Sequence, residues 1–203
     1  AREMRAQSIK VPAKNPLLDT CGTGGSGLTR LNVSTASAFI IASCGVRVAK
    51  HGNRAASGRV GSFDVLEALG AKVELTPKQV AKTIQKTNLG FMFAPLYHPA
   101  MKNIMPVRKE LSIRTVFNIL GPLTNPAQAQ YQILGVSNEK LGAQMITVLK
   151  NLGCKRALVV YGEDGLDEIT VTAPTKIWEL KNNTIHKCKI SPEQFDIQRA
   201  QFS

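Results

Sequence analysis

Residues 131–162 read YQILGVSNEKLGAQMITVLKNLGCKRALVVYG, and this stretch decides the fold. YQILGV (131–136) is a short apolar run of strand length. NEKLGAQMITVLKNLG (138–153) is helical in period, and RALVVYG (156–162) is a second apolar run. Strand, helix and strand in this order make a β-α-β unit, and its strands are apolar enough to be covered on both faces. Outward from it the alternation continues. LLDT (17–20) is a strand candidate ending at a glycine-rich loop. STASAFIIASCG (34–45) reads as a buried helix with a hydroxyl N-cap and Gly45 as its stop. VRVAK (46–50) is a strand, SFDVLEALG (62–70) an amphipathic helix closed by Gly70, and TPKQVAKTIQKTN (76–88) a helix with Pro77 in its first turn. LGFMFAP (89–95) reads as a strand, followed by two helical segments, HPAMKNIMPVRKEL and IRTVFNILG, with no strand between them. ITV (169–171), TKIWEL and TIHKC read as short strands of an antiparallel extension. The pattern predicts an α/β fold with a helical subdomain joined to the sheet.

Composition narrows the function classes. The 203 residues carry a net charge of +12, which invites polyanions, yet no run of five basic residues occurs and only 5% of residues are aromatic. Spread charge with little stacking surface fits a solvated surface plus one focused pocket better than a nucleic-acid groove. No apolar stretch approaches about 18 residues, the length a membrane span needs. AREMRAQSI reads as the end of a helix, without the apolar region of a signal peptide. The four cysteines show no CxxC spacing and fit small buried thiols in a reduced, cytoplasmic protein.

Four segments carry candidate chemistry. In DTCGTGGSGLTRLNVSTAS (19–37) a strand runs into glycines and then a helix, so backbone N–H groups and a helix dipole can meet an anion. The spacing is neither GxGxxG nor GxxxxGK[ST], so it supports neither a dinucleotide site nor a Walker loop. The plain alternative is a surface turn. KHGNRAASG (50–58) puts two fixed cations and an imidazole after a strand, at the end where open α/β sheets bind ligands. The alternative there is an ion-pairing surface loop. EDGLDEIT (163–170) gathers four carboxylates within six residues, an oxygen-only set suited to Mg²⁺ held together with substrate phosphates. A solvated acidic turn is the alternative. In HPAMKNIMPVRKEL (98–111), His98, Met101 and Met105 share one face at helical spacing. The glycine loop, the cationic loop and the acidic loop together describe a site for a polyphosphate with a divalent metal.

GTGG(S)G, NVSTAS, KHGNRA, GSFDVLEALG, HPAMK with a following arginine, RTVFNILGPLTNP and DGLDEIT occur in an order and spacing that resemble the anthranilate phosphoribosyltransferases, from about Asp19 to Thr172. The resemblance implies the nucleoside phosphorylase and phosphoribosyltransferase type of fold, a large α/β domain with a small helical domain, in a homodimer. Residues 1–14 would close the N-terminal helical region. Residues 15–94 and 121–203 would form the α/β domain, with 95–120 packing on the helical domain. The implied reaction moves the phosphoribosyl group of 5-phosphoribosyl 1-diphosphate (PRPP) to the amine of anthranilate, releasing diphosphate, in tryptophan biosynthesis.

Carried over by position, the resemblance gives PRPP the residues Gly22, Gly24, Gly25, Ser26, Arg30, Asn32, Val33, Ser34 and Thr35, with Ser62 nearby. The loop Lys50, His51, Gly52, Asn53, Arg54, Ala55, Ala56, Ser57 and Gly58 would close over the phosphates. Anthranilate would meet Gly22, His51, Asn53 and Arg108, with His98 near its entry. Ser34, Asp167 and Glu168 would hold Mg²⁺, and with Lys50 they form the catalytic set. The family reads GTGGDG where this chain has Ser26, which removes a charge beside the metal-bound diphosphate. The chain also reads as shorter than the family at both ends. A nucleoside phosphorylase, a nucleic-acid-binding relative of the same fold and a weakened homologue are the competing readings. DGLDEIT and Arg108 argue against the first, and the acidic loop, a poor surface for DNA, against the second.

Overall fold

The computed structural model describes residues 1–24, 31–55, 60–111, 113 and 115–201. The chain divides into two compact units. One comprises Ala1–Thr20 with Leu31–Ala129, the other Cys21–Arg30 with Gln130–Ser203.

In the first unit, helix α1 (Arg2–Gln7) precedes strand β1 (Leu18–Gly22), whose last two residues pass into the second unit. Helix α2 (Val33–Ser43), strand β2 (Val48–Gly52), helices α3 (Ser62–Ala68) and α4 (Pro77–Thr87) and strand β3 (Leu89–Phe93) follow. The strands are parallel, in the order β3-β2-β1, with Val48 opposite both Leu18 and Leu89. Two apolar clusters fix this arrangement. Val80 and Ile84 of α4 pack with Ala49 and Met92, while Phe63 and Leu66 of α3 pack with Phe93. Thr76 caps α4 reciprocally with Gln79, and Asn88 ends it in the left-handed region at φ 58°. Gly45 and Gly70 close their helices at φ 85° and 77°, where a side chain would be strained.

Several expectations change. Residues 94–97 leave the strand and turn into the short helix α5 (Ala94–Tyr97). Asn32 caps α2, without a side-chain hydrogen bond, so no hydroxyl plays that part. The helix is not buried throughout: Ala38 and Ala42 face the core, while Ile40 is 65% exposed. Helix α6 (Met101–Leu111) has Pro106 inside it, and α7 (Phe117–Leu120) is one turn long. His98 precedes α6 and is buried, whereas Met105 is 46% exposed, so these two residues do not share a helix face.

The second unit holds strand β4 (Tyr131–Gly135), helix α8 (Glu139–Asn151) and strands β5 (Arg156–Gly162), β6 (Thr175–Lys181) and β7 (Thr184–Ile190). β4 and β5 are parallel, and β5-β6-β7 continue antiparallel. The β-α-β unit and its antiparallel extension therefore form as the sequence predicts. Helix α8 lies so close to β6 that a Cβ on Gly142 would stand 2.5 Å from Trp178 Cε3. Residues 169–171 are not a strand. Their place is set by the Thr170 N–H donating to the Thr175 hydroxyl at 3.2 Å. No disulfide joins the four cysteines, and none is buried, contrary to the expectation of buried thiols: Cys44 and Cys188 are exposed, Cys21 and Cys154 intermediate.

Candidate active site

Lys50 lies inside β2 rather than on the loop that follows it, with 2% of its surface exposed. Burying an ammonium is costly unless oxygens replace its water. Here Nζ donates to the Thr20 carbonyl and to the Ser34 hydroxyl, the latter at 3.1 Å. The Thr20 hydroxyl donates to the Ser34 carbonyl at 2.9 Å, tying the start of α2 to the end of β1. Asp19, 1% exposed, adds a carboxylate from β1, and one of its oxygens accepts the His51 N–H at 3.2 Å. Burial pushes the Asp19 carboxyl upward, against the pull of Asn125, Lys50 and the backbone donors.

His51 and His98 meet through their Nε2 atoms at 3.2 Å, with rings steeply tilted to one another and centroids 5.0 Å apart. Burial pushes the His51 imidazole down to about 3, helped by the neighbouring His98. His98 is lowered by burial as well. The pair is therefore neutral at pH 7, with one ring donating to the other.

Asn53, Gly52 and Ser62 come together. The Ser62 hydroxyl donates to the Asn53 carbonyl at 3.2 Å, and a Cβ on Gly52 would stand 2.5 Å from that hydroxyl. Arg54 follows the plain alternative. Its guanidinium forks onto Glu67 at 3.0 and 2.5 Å and lies 4.4 Å over the Phe93 ring. Asp64 accepts the N–H groups of Ala55 at 2.9 Å and Gly61 at 2.7 Å, so the loop is held on both sides of its undescribed part. Asn32 reaches the Val60 carbonyl at 3.5 Å, Val33 opens α2, and Thr35 is buried.

In the second unit the glycine loop and the acidic loop meet directly. The Gly24 N–H donates to Asp167 Oδ2 at 3.0 Å, and Gly24 has φ 66°, a glycine conformation. A Cβ on Gly22 would stand 2.6 Å from the same oxygen. The four carboxylates of 163–170 do not act as one cluster. Glu163 pairs with Lys189 at 2.8 Å and Lys176 at 3.7 Å. Asp164 accepts the hydroxyls of Thr170, at 2.6 Å, and Thr172, which with the Leu166 N–H outweigh its burial and hold its carboxyl low. Asp167, 1% exposed, and the partly buried Glu168 are the acidic metal-ligand candidates expected from the sequence. A carboxylate on the glycine loop, with a second acid next to it in sequence, fits Mg²⁺, which takes one or two protein oxygens and completes its shell with phosphates and water. No group of three His, Cys, Asp or Glu poised for a metal occurs among the described residues.

Gly25, Ser26, Arg30, Ala56, Ser57 and Gly58 lie outside the described residues, as does the side chain of Arg108 on α6. Asp19, Thr20, Asn125 and Gly135 stand beside these residues without being among those expected from the sequence. Asn125, 4% exposed, donates to the Ala49 carbonyl at 2.8 Å and accepts the Ala127 N–H at 2.9 Å. The signal for Asp19 and Thr20 was their place at a strand end before glycines. Gly135 sits in an apolar strand, and nothing local marks it.

The model of the glycosyl transferase family, a/b domain, matches residues 14–203. Anthranilate phosphoribosyltransferase of Persephonella marina is 51% identical, covering 98% of this chain and 60% of its own length. That of Brevibacillus brevis is 56% identical, over 98% of this chain and 59% of its own. The chain thus spans about 60% of the length of the curated relatives it matches. Among solved structures, anthranilate phosphoribosyltransferase from Thermus thermophilus superposes with TM-score 0.90 at 46% identity, over 98% of this chain and 59% of its own. The Saccharomyces cerevisiae enzyme in complex with PRPP and Mg also gives 0.90, at 29% identity, over 98% of this chain and 55% of its own. With residues 14–203 matched by that model, the chain belongs to the glycosyl transferase family through its a/b domain.

Proposed function

We propose that the protein to which this chain belongs transfers the phosphoribosyl group of PRPP to the amine of anthranilate, releasing diphosphate, as a step of tryptophan biosynthesis. The observation that carries the reading is the buried Lys50, held by Thr20 and Ser34 where β1, β2 and α2 converge. A buried, fixed cation held by the start of a helix suits a diphosphate leaving group. In the reaction the C1–O bond breaks with its electron pair going to diphosphate, an N–C1 bond forms, and the amine releases a proton to solvent.

The chain's own residues bind and orient. Gly22, Gly24 and Gly25 border the diphosphate and ribose, with Asn32, Ser34, Thr35 and the loop from Lys50 to Gly58 completing the PRPP contacts. Lys50 contributes a fixed positive charge, and Ser34 presents a hydroxyl already oriented by Lys50. Asp167 and Glu168 would be the acidic ligands for Mg²⁺, with Ser34 as a further oxygen. Bound there, Mg²⁺ neutralises diphosphate charge. His51, Asn53, His98 and Arg108 receive anthranilate. The His51–His98 pair offers a neutral polar wall and, with a pKa near 3 for His51, no useful base. Arg108 offers a fork for the carboxylate.

The whole protein is proposed to be a cytoplasmic homodimer in which residues 95–120 pack on a helical domain. No helix among the described residues is long and apolar enough to cross a membrane. Loss of anthranilate fluorescence on adding PRPP and Mg²⁺ to the full-length protein tests the activity, and no loss overturns it. Sedimentation of the same sample tests the dimer.

A further inference from the structure

The end of strand β4 touches both loops of the second unit through one residue. The Gly135 carbonyl accepts the Thr23 N–H at 2.9 Å. Two residues on, the Ser137 N–H donates to the Thr23 hydroxyl at 3.3 Å, so the entry to the glycine loop is tied twice to the exit of β4. On its other side Gly135 meets Asp167. A Cβ built on Gly135 would overlap the Asp167 carbonyl oxygen and stand 2.5 Å from its carbonyl carbon and 3.2 Å from its Cβ. The Asp167 backbone lies flat against the Gly135 Cα, and its carboxylate reaches over Gly22 to the Gly24 N–H.

The need for glycine at 135 is steric. Gly135 is not among the glycines at positive φ, and it continues the parallel ladder opposite Val160. Alanine can adopt that backbone and is not penalised by conformation, so any loss on substitution comes from what the methyl group strikes. What it strikes is backbone, which cannot swing aside as a flexible side chain would.

We propose that Gly135 is a positioning residue for Mg²⁺·PRPP binding: its missing side chain seats Asp167, and its carbonyl fixes Thr23 so that the Gly24 N–H meets that carboxylate. The inference rests on the phosphoribosyl-transfer reading for its ligand, although the loop geometry it explains does not. Gly135→Ala pushes Asp167 off the strand, lengthens the Gly24–Asp167 hydrogen bond and spoils the carboxylate's aim, with the core of β4 and β5 retained.

The test compares Gly135→Ala with Gly142→Ala in the full-length protein. The second variant also forces a methyl group into this unit, against Trp178. Calorimetric titration with Mg²⁺·PRPP is expected to show at least tenfold weaker binding for Gly135→Ala and less than a twofold change for Gly142→Ala, even at a similar loss of melting temperature. Adding Gly135→Ala to Asp167→Ala is expected to cost less than a further twofold, because the glycine acts through the aspartate. The Gly24 amide is expected to exchange with solvent at least tenfold faster in Gly135→Ala. If that variant does not fold, Thr23→Val, which removes the hydroxyl that accepts the Ser137 N–H and donates to the Gly24 carbonyl, is expected to weaken binding severalfold, and unchanged binding overturns the proposal. Equal binding losses in the two glycine variants, or an unchanged Gly24 amide, overturn the proposal. A wild-type protein that binds no Mg²⁺·PRPP, with the Gly24 change present, overturns the reaction assignment and leaves the positioning of Asp167 by Gly135 standing.

Discussion

The Nε2 atoms of His51 and His98 stand 3.2 Å apart in a buried position, close enough that one ring must donate and the other accept. Two imidazolium ions cannot occupy that geometry, because both nitrogens would be donors. Asp19 holds the backbone of His51 by accepting its N–H.

This pair gives a pH dependence of defined sign. The unfolded His51 titrates near its ordinary value of 6.5, while the folded one is pushed down to about 3. Between those values the unfolded chain holds the extra proton, so stability is complete above 6.5 and falls as the pH drops toward 3. The slope is about 1.4 kcal/mol per pH unit within the window. Melting temperatures followed from pH 7 to about 4 should fall steeply in the wild type and less steeply in His51→Gln, with His98 supplying the residual slope.

Lys50→Ala removes the fixed cation beside Ser34 and Thr20. Deleting a preorganised donor to developing charge costs about 10²–10³ in kcat, and that loss is expected here in the full-length protein with circular dichroism unchanged. Wild-type turnover in this variant refutes the role of Lys50.

Ser26→Asp restores the carboxylate of the family's GTGGDG pattern. On the proposed PRPP role of position 26, the added charge is expected to lower the Mg²⁺ concentration for half-maximal rate severalfold. An unchanged Mg²⁺ dependence shows that position 26 does not face the metal.

Gly90→Ala tests packing alone. A Cβ there would stand 2.5 Å from Ile84 Cγ1 and 3.1 Å from Val80 Cγ1, on the face of α4 that covers β3. Overfilling a core costs about 1–3 kcal/mol, which in a chain of this size lowers the melting temperature by about 2–4 °C per kcal/mol. Mg²⁺·PRPP affinity should be unchanged, as α4 and β3 lie outside the residues assigned to it.

The sequence by itself determined the alternation of elements, because apolar period and end signals act within a few residues of one another. Pro77 opens α4, Gly45 and Gly70 close their helices, and the run from Tyr131 to Gly162 forms strand, helix and strand as its period requires. The motifs around Ser34, Lys50 and Asp167 were legible for the same local reason. What only the tertiary structure decided is which groups face one another. Three of the four neighbouring carboxylates take different partners: Glu163 pairs with Lys189 on β7, Asp164 accepts two nearby threonine hydroxyls, and Asp167 accepts the Gly24 N–H from far along the chain. Lys50 became a buried group because the Thr20 carbonyl and the Ser34 hydroxyl replace its water. His51 found His98 across 47 positions. Gly135 matters through the Asp167 backbone laid against it, a contact far along the chain that no local pattern encodes.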